Sequence, residues 1–541
     1  MTTLTSDQTA AEAYIKDFIG TPFNLDNIDT YLCTLKGCAG TGKTTLTKRV
    51  VKMVRSAGRQ VLCVAPTHKA RKVLDKIINT SSFLRMPTTT LASMLGKIRA
   101  HGYVGAQNYK KGLDTKIGMY DFFIVDEISM ATTADYEDIV KLAKLYEKKV
   151  LFVGDHLQIP NPAQPYVASD STSRYFIKQI NPAFVIPHQL ELRQIVRTKE
   201  GNPLLSLLDV VRNAVGTDFN IIELVTTATE PEKDQPGYYL QDPEQFLSSI
   251  KSHSKSFKDG QFRIVCYTNQ SVKQYNKLIR TSLGYQEQIV EGELLTGYNN
   301  VGPIGNLTIE NGQDYTVTGI KQVNNYTVTS PDRTYQDLTG KVVTIYDGNS
   351  SSNIFMLDLE EEENGPVLET LVKLADKVNS IGSTKADYIR YITMKTQIVF
   401  MDDIYRYNGN IYTGDEFKNV HPLLFTKTTV AIEPGEIAER ISQQYPKIIA
   451  QRLKDNKEIY ASEALSDMFQ VIEKDISYGY AITAHKSQGS TYHTVFMDEQ
   501  DFNTLRDHWS VRHKATIRTE RDQLKYVALS RASMTCYLKY A

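Results

Sequence analysis

The segment of residues 37–44 reads Gly-Cys-Ala-Gly-Thr-Gly-Lys-Thr and matches the pattern G-x-x-x-x-G-K-[ST]. Glycines at these positions let consecutive backbone N–H groups converge on phosphate oxygens, and the following helix adds its positive end. An ordinary glycine turn is the alternative. The match lies between an apolar strand pattern and a helical pattern, as a phosphate-binding loop requires, so the sequence predicts a nucleotide site. Its predicted residues are Gly37, Gly40, Thr41, Gly42, Lys43, Thr44 and Thr45.

Four apolar runs alternate with helical patterns between residues 31 and 155. The runs lie at residues 31–36, 60–65, 121–126 and 149–153. Near-continuous apolar strands separated by helices are typical of a parallel sheet that helices cover on both faces. A second set of this kind begins near Leu190, breaks off, and resumes at residues 478–541. The sequence therefore predicts an α/β fold with two parallel-sheet domains, the second of which carries an insertion.

The predicted insertion has a different character. Its segments up to residue 359 are β-rich and separated by turn signals, which favours a small barrel or sheet. The acidic run at residues 358–366 is predicted to be a solvated loop. Residues 366–379 and 436–474 are predicted to be helical.

The composition excludes several classes of protein. Lys plus Arg and Asp plus Glu both number 62, so the formal net charge is zero and neither a basic tail nor an acidic solvating protein fits. The five cysteines are scattered without a C-x-x-C pair, so we expect neither a disulfide framework nor a structural zinc site. There is no apolar run of about 18 residues and no apolar leader at the N-terminus. We therefore expect a soluble, cytoplasmic protein without a membrane partner.

Asp126 and Glu127 follow the apolar strand pattern at residues 121–126. A carboxylate at the end of such a strand can hold Mg²⁺ through water, and its neighbour can polarise an attacking water. A carboxylate pair alone is a weak signal, because surface carboxylates are common. Together with the phosphate-binding loop, it predicts a site that hydrolyses a nucleoside triphosphate.

Nine motifs, in the same order along the chain, resemble those of superfamily 1 helicases of the 5′-to-3′ class, and within them the RecD-like group that includes the Dda type. They lie at residues 4–8 (LTSDQ), 65–70 (APTHKA), 125–130 (VDEISM), 153–160 (VGDHLQIP), 192–197 (LRQIVR), 267–272 (YTNQSV), 311–313 (NGQ), 480–489 (YAITAHKSQG) and 526–532 (YVALSRA). The resemblance implies two RecA-like motor domains with small β-rich insertions, a 1B pin and an SH3-like 2B domain.

The resemblance also implies domain limits. Motor domain 1A is expected at residues 1–186, with the 1B pin inserted at about 95–118. Motor domain 2A is expected in two parts, 187–313 and 476–541. The inserted 2B region is expected at 314–475.

By resemblance, ATP is hydrolysed with Mg²⁺ in a cleft between the motor domains. Lys43 is expected to bind the phosphates, Thr44 and Asp126 to hold Mg²⁺, and Glu127 to activate water. Arg197 and Arg531 are expected to be arginine fingers, because a bidentate guanidinium suits a phosphoryl transition state; a surface ion pair is the alternative for each.

Three further residues are assigned to the nucleotide by resemblance. Gln158 is expected to sense the γ-phosphate, and its alternative is a capping amide. Gln8 is expected to read adenine, and its alternative is an exposed residue in the first turn of a helix. Gly489, which ends the motif at 480–489, is expected to contact the nucleotide.

The resemblance places nucleic-acid contacts across the tops of both motor domains, where hydroxyls, amides and backbone N–H groups hold phosphates without reading sequence. The expected residues are Pro66, Thr67, His68, Lys69, Thr268, Asn269, Thr483, His485 and Lys486. A buried hydrogen-bonded imidazole is the alternative for His485. The basic run at residues 69–72 has a solvated helix face as its alternative.

The segment of residues 97–116 lies where relatives insert the 1B hairpin. Glycines punctuate it as turns, and Tyr103 and Tyr109 offer flat faces for an unstacked base, flanked by lysines and an arginine. We expect it to be the strand-separating pin. A plain exposed loop is the alternative.

The resulting hypothesis is an ATP-dependent DNA helicase that translocates 5′ to 3′ on single-stranded DNA and unwinds duplex junctions. The alternatives are an RNA helicase of the same superfamily and a nucleic-acid-binding scaffold with a degenerate ATPase site. Replication proteins such as a single-strand-binding protein are candidate partners, and relatives can work as monomers. A phage or mobile-element origin is compatible with this hypothesis.

Overall fold

The computed structural model describes residues 4–79, 85–99, 109–111, 117–169, 175–196, 198, 201–226, 235–302, 307–379, 384–422, 469–510 and 515–540. The chain divides into two compact units. The first comprises residues 1–98, 111–288 and 478–541, and the second comprises residues 99–110 and 289–477. No helix in the described ranges is long and apolar enough to cross a membrane.

A sheet of six parallel strands forms the first half of the first unit. In sheet order the strands are Gln189–Leu192, Leu32–Gly37, Lys149–Gly154, Phe122–Val125, Val61–Ala65 and Thr88–Thr90. The helices of this half are Ser6–Gly20, Lys43–Ser56, His68–Asn79, Leu91–Met94 and Thr133–Leu145. Neighbouring residues of one strand pack into different apolar clusters: Cys33 lies in one and Leu32 in the other. Both faces of the sheet are therefore covered, as the apolar runs predict.

A second parallel sheet of five strands forms the other half of the first unit. In sheet order its strands are Tyr238–Gln241, Ala532–Lys539, Tyr492–Asp498, Phe262–Cys266 and Ala481–Thr483. Its helices are Pro203–Ala214, Ile221–Val225, Pro243–Ser252, Asn269–Ser282, Ala484–Ser487, Glu499–Phe502 and Arg521–Leu529. The predicted α/β class with two parallel sheets is confirmed.

A small sheet of four strands joins segments of both halves. In sheet order the strands are His508–Ser510, Ala515–Ile517, Tyr175–Lys178 and Tyr166–Ala168. The strand Ala515–Ile517 runs parallel to Tyr175–Lys178, although more than 300 residues separate them along the chain. Nothing in the sequence predicts this pairing.

The second unit contains a sheet of five strands and a sheet of three. In sheet order the first has Ser351–Leu357, Thr334–Tyr346, Asp314–Thr329, Leu294–Gly297 and Ile476–Tyr478, and the second has Asn410–Thr413, Ile404–Tyr407 and Gln470–Ile472. Its helices are Gly365–Asn379, Lys385–Lys395 and Gly414–Val420. The predicted β-rich region is thus a sheet, and the acidic side chains at residues 360–363 are exposed as predicted.

Two sequence predictions in this unit differ from the structure. The strand Leu294–Gly297, assigned to the second motor domain, pairs antiparallel with Asp314–Thr329 and so belongs to the inserted sheet. Within the range 436–474, predicted to be helical, Gln470–Ile472 is a strand because it pairs with Ile404–Tyr407. Residues 436–468 lie outside the described residues.

Short 3₁₀ turns complete the chain, at Ile28–Thr30, Ile117–Met119, Ile128–Met130, Pro182–Phe184, Ser254–Phe257 and Glu362–Asn364. In addition, Lys97–Arg99 and Tyr109–Lys111 form a two-stranded sheet. Both strands lie within residues 97–116, the segment predicted to be the pin.

Candidate active site

The phosphate-binding loop lies between the strand Leu32–Gly37 and the helix Lys43–Ser56, as the motif requires. Gly40 and Gly42 have φ angles of 86° and 79°, which favour glycine. Gly42 also lies close to the N-terminal helix: a Cβ at this position would be 2.5 Å from Gln8 Nε2. The Lys43 Nζ donates hydrogen bonds to the carbonyls of Gly37 and Cys38, at 2.7 and 3.0 Å. Two carbonyls of the loop thus hold the ammonium group of Lys43 in place.

A cavity of about 460 Å³ opens beside this loop. Its lining brings together eleven residues that the sequence assigns to the nucleotide site: Gln8, Gly40, Gly42, Lys43, Thr44, Thr45, Asp126, Glu127, Gln158, Gly489 and Arg531. Most come from the half with the six-stranded sheet, whereas Gly489 and Arg531 come from the other half. One cavity is therefore built by both halves of the first unit.

Two described residues assigned to the nucleotide site, Gly37 and Thr41, do not line the cavity. A Cβ at Gly37 would lie 2.6 Å from Thr41 Oγ1, and the Thr41 hydroxyl donates to the carbonyl of Cys38 at 2.9 Å. Both residues therefore stabilise the shape of the loop through contacts within the loop itself. Arg197 lies outside the described residues. Its neighbour Val196 lines the cavity and donates its N–H to the Gly40 carbonyl at 2.7 Å.

Asp126 and Glu127 stand at the carboxyl end of the central strand Phe122–Val125. Glu127 has a φ of 52°, an uncommon left-handed conformation for a residue other than glycine. Burial, and then the charge of Glu127, raise the pKa of Asp126 to about 7, against the opposing effect of Lys43. Two crowded carboxylates of this kind favour a divalent cation, which would relieve their repulsion.

Arg531 reaches the cavity from the end of the helix Arg521–Leu529 and is only 2% exposed. Its guanidinium is held on three sides: Nε donates to Val527 O at 3.0 Å, Nη2 to Ser530 Oγ at 2.8 Å, and Nη1 to Ser490 O at 3.4 Å. Burial lowers the pKa of Arg531, while the carboxylate of Glu127 opposes that shift. The surface ion pair considered as an alternative is therefore excluded by the burial of this side chain.

Gln158 is 3% exposed, and its Oε1 lacks a hydrogen-bond partner among the described residues. Its Nε2 lies 3.5 Å from Asp155 Oδ2. That carboxylate is fully buried and accepts a hydrogen bond from the Tyr526 hydroxyl at 2.9 Å. Asp155 follows a strand of the first sheet and Tyr526 lies on a helix of the second half, so this bond connects the Gln158 loop with the helix that precedes Arg531.

Gln8 is buried, with 4% of its surface exposed, so the alternative of an exposed first-turn residue is wrong. Its Oε1 accepts the Thr5 N–H at 3.1 Å, in a capping box, and its Nε2 donates to the Thr41 carbonyl at 2.8 Å. The amide therefore ties the first helix to the phosphate-binding loop at the rim of the cavity.

The apolar side of the cavity was missed from the sequence. It is formed by Leu4 together with Ala70, Val73 and Ile77. The last three are spaced i, i+3 and i+7 on the helix His68–Asn79, which is the signal of one helix face. A flat, apolar base would find its complement here.

Three threonines assigned to nucleic-acid contacts share one local structure. Thr67, Thr268 and Thr483 each stand at a strand end and accept a backbone N–H of the helix that follows, at 3.1, 3.1 and 3.4 Å. The Thr268 hydroxyl also donates to Asp501 Oδ1 at 2.6 Å, and Asp501 Oδ2 accepts the Thr268 N–H at 2.9 Å. Asp501, which the sequence analysis did not predict as a site residue, therefore fixes the orientation of the turn at Thr268.

The two halves meet at the predicted nucleic-acid face. Lys69 Nζ donates to the Lys486 carbonyl at 3.1 Å. Pro66, Thr67, His68 and Lys69 are all half-buried, whereas Asn269 is exposed and Thr483 is buried. Burial lowers the pKa of His485, which is half-buried and close enough to feel the charges of Glu520 and Lys178.

The aromatic residues of the predicted pin are not described by the structure. Tyr103 lies outside the described residues, and only the backbone of Tyr109 is described, in the strand Tyr109–Lys111. The role of both stays a prediction.

The fold and the cavity together define a class. A phosphate-binding loop, an acidic pair at the neighbouring strand end and a buried arginine from a second parallel sheet are the parts of a P-loop nucleoside triphosphatase with two RecA-like halves.

Comparisons with known proteins narrow this class. Residues 27–207 match the family model described as "AAA domain". The chain is 22% identical to the uncharacterized protein R530 of Acanthamoeba polyphaga mimivirus, over 92% of this chain and 93% of that protein. It is 25% identical to the ATP-dependent DNA helicase Dda of phage T4 (53% of this chain, 64% of that one) and 27% identical to the ATP-dependent RecD2 DNA helicase of Deinococcus radiodurans (37% and 24%). The chain is thus similar in sequence to ATP-dependent DNA helicases of the Dda and RecD2 type.

Among solved structures, the chain is similar to that of the Pif1 helicase from Bacteroides in complex with ADP-AlF₃ and ssDNA. The identity is 14%, the TM-score is 0.46, and the match covers 99% of this chain and 92% of that one.

Proposed function

We propose that this chain is an ATP-dependent DNA helicase that translocates 5′ to 3′ along single-stranded DNA and unwinds duplex DNA. The observation that carries the proposal is the shared cavity: Lys43, Glu127 and Gln158 line it from one half, and Arg531 lines it from the other. A nucleotide bound between two halves can hold them together, and its hydrolysis can release them. That is the mechanical requirement for a motor.

The described side chains are suited to phosphoryl transfer. Lys43 would exchange its two carbonyl partners for β- and γ-phosphate oxygens. Glu127 Oε2 and Gln158 Oε1 are buried acceptors without a partner among the described residues, and both residues line the cavity. A water between them would be oriented for attack on the γ-phosphate. Arg531 would stabilise charge that develops in the transition state.

Mg²⁺ fits the acidic side of this cavity. Thr44 and Asp126 would hold the ion, which supplies charge neutralisation at the phosphates. No group of three or more His, Cys, Asp and Glu side chains in the described part of the chain could hold a metal. The ion would therefore depend on the nucleotide and on water for its other ligands, as Mg²⁺ in P-loop enzymes does.

We propose the DNA path across the strand ends of both sheets. The helices capped by Thr67, Thr268 and Thr483 begin there, and helix N-termini and polar side chains hold phosphates without reading sequence. Lys69 of one half and Lys486 of the other meet at this face. A change in the distance between the halves would therefore move the contacts of a DNA strand bound across both.

We also propose the domain limits and partners expected from the family. Domains 1A and 2A would correspond to the two parallel-sheet halves, and the 2B region to the inserted sheets. The polarity is that of the 5′-to-3′ class, whose motifs the chain resembles. A single-strand-binding protein remains a candidate partner, and the chain would act as a monomer.

The test is strand separation on duplexes that differ only in their single-stranded tail. Duplexes with a 5′ or a 3′ single-stranded DNA tail should be compared, with a 5′ RNA tail as a third substrate. We expect ATP-dependent unwinding of the 5′ DNA-tailed duplex only. Equal unwinding of the 3′-tailed duplex would refute the polarity, and preference for the RNA tail would favour the RNA helicase. A Lys43→Ala control separates motor activity from passive melting.

A further inference from the structure

The small four-stranded sheet of the first unit has a row of side chains across one face. Thr516 pairs with Trp509 on one side and with Tyr175 on the other, and Val167 pairs with Ile177. Paired residues project to the same face of a sheet, and so do residues two apart on one strand. These five side chains therefore share one face.

Two aromatic side chains of this face are exposed, whereas two apolar side chains of the opposite face are buried. Trp509 is 61% exposed and Tyr175 is 43% exposed. On the other face, Ala515 and Ile517 are 4% and 2% exposed. A sheet that covers a core with one face normally presents polar side chains on the other. Two exposed aromatic side chains in one row therefore suggest a ligand.

A guanidinium accompanies the two rings. Arg518 is two residues beyond Thr516, and its guanidinium carbon lies 4.7 Å from the centre of the Tyr175 ring. Its Nη1 donates to the Gly216 carbonyl at 3.1 Å, which fixes its position. Flat aromatic faces beside a guanidinium are what proteins use to bind single strands without sequence preference. The positive charge also complements phosphate, which favours a nucleic acid over an apolar protein surface.

The sheet adjoins the proposed DNA path. Lys178 lies three residues after Tyr175 on the same strand, so its side chain projects from the opposite face of the sheet. It forms an ion pair with Glu520 at 2.8 Å. The charges of both residues act on the imidazole of His485, in the motif assigned to DNA. A strand that crosses the tops of the halves would therefore pass close to this sheet on the side of Lys178.

We propose that Trp509 and Tyr175 form a stacking platform on which unpaired bases of single-stranded DNA rest. This inference rests on the proposed function, since it names where bases of the translocated strand are held. No motif of the family resemblance includes either residue.

Trp509 is the only tryptophan of the chain, so intrinsic tryptophan emission reports this one position. Titration with a dT oligonucleotide should quench that emission to a plateau. Trp509→Ala should weaken binding of the oligonucleotide about 10-fold, the loss expected when one base loses its stacking partner. Trp509→Phe, which keeps a flat ring, should retain most of the affinity.

Tyr146→Ala is the matched control, because Tyr146 is 42% exposed and lies at the end of the helix Thr133–Leu145, away from this sheet in the chain. It should bind the oligonucleotide like the wild type. Unchanged emission of the wild type, or wild-type affinity of Trp509→Ala, would overturn the platform and leave the face to another partner, such as a protein. Equal losses in the Phe and Ala variants would also overturn it, because the loss would not come from stacking. DNA-stimulated ATPase of the wild type tests the proposed function separately.

Discussion

The hydrogen bond from Tyr526 to Asp155 joins the two halves of the first unit, and Tyr526→Phe removes it with little change of shape. The donor and the acceptor are 2% and 0% exposed, and their oxygens lie 2.9 Å apart. Burial raises the pKa of Tyr526 well above 10, so its hydroxyl stays a donor over the working pH range. In the variant, the described partners left to the Asp155 carboxylate are the Leu157 N–H at 3.2 Å and the weak contact with Gln158 Nε2.

A hydrogen bond to a charged group contributes about 1.5–3 kcal/mol when it is buried. If the bond forms only when the halves are together, losing it shifts the equilibrium away from that state by roughly 10- to 100-fold. The expected result is a lower maximal rate of DNA-stimulated ATP hydrolysis and weaker binding of a non-hydrolysable ATP analogue, because a nucleotide in a cavity lined by both halves binds best when the halves are together. Tyr526 does not itself line the cavity, so the loss of affinity would come from the shifted equilibrium.

The matched control is Tyr492→Phe. Tyr492 is buried in the same half, and its hydroxyl has no hydrogen-bond partner among the described residues. This variant should hydrolyse ATP at close to the wild-type rate. Equal maximal rates in the Tyr526→Phe and Tyr492→Phe proteins would refute the coupling role of the bond.

Three further variants test the proposed roles. Lys43→Ala should abolish ATP turnover in a folded protein, since no other lysine lines the described cavity; near-normal turnover would exclude the site. Arg531→Ala should lower turnover roughly 10³-fold while nucleotide binding changes little, because an arginine finger acts on the transition state; a collapse of ATP affinity instead would make it a ground-state ligand. Tyr103→Ala combined with Tyr109→Ala should slow unwinding several-fold and spare single-strand-stimulated ATPase, and a parallel fall of both rates would rule out a pin.

The motif positions were predictable because they are encoded locally. The loop at residues 37–44 and the pair Asp126–Glu127 each follow an apolar strand, and the carboxyl ends of parallel strands meet at one edge of a sheet. Arg531 was assigned by family resemblance, and the structure brings it to the same cavity. The burial of Gln8 is harder to predict, because it depends on a contact with the Thr41 carbonyl, 33 residues away.

What could not be predicted depends on long-range pairing of short segments. The strand Ala515–Ile517 has three residues and pairs with Tyr175–Lys178. Both strands are too short for their sequence patterns to predict which strand they pair with. Likewise, Leu294–Gly297 reads like a strand of any sheet, and only its pairing with Asp314–Thr329 assigns it to the inserted one. The bond between Asp155 and Tyr526 spans 371 residues and leaves no local signal.

The central claim is that the cavity shared by the two halves hydrolyses ATP in response to a bound single strand. Steady-state ATP hydrolysis, measured with and without a dT oligonucleotide in the presence of Mg²⁺, tests this claim most directly. We predict a low rate without the oligonucleotide and a strong, saturable stimulation with it, and neither in the Lys43→Ala protein. An intact, folded protein whose ATP hydrolysis is absent, or is the same with and without the oligonucleotide, would contradict the account.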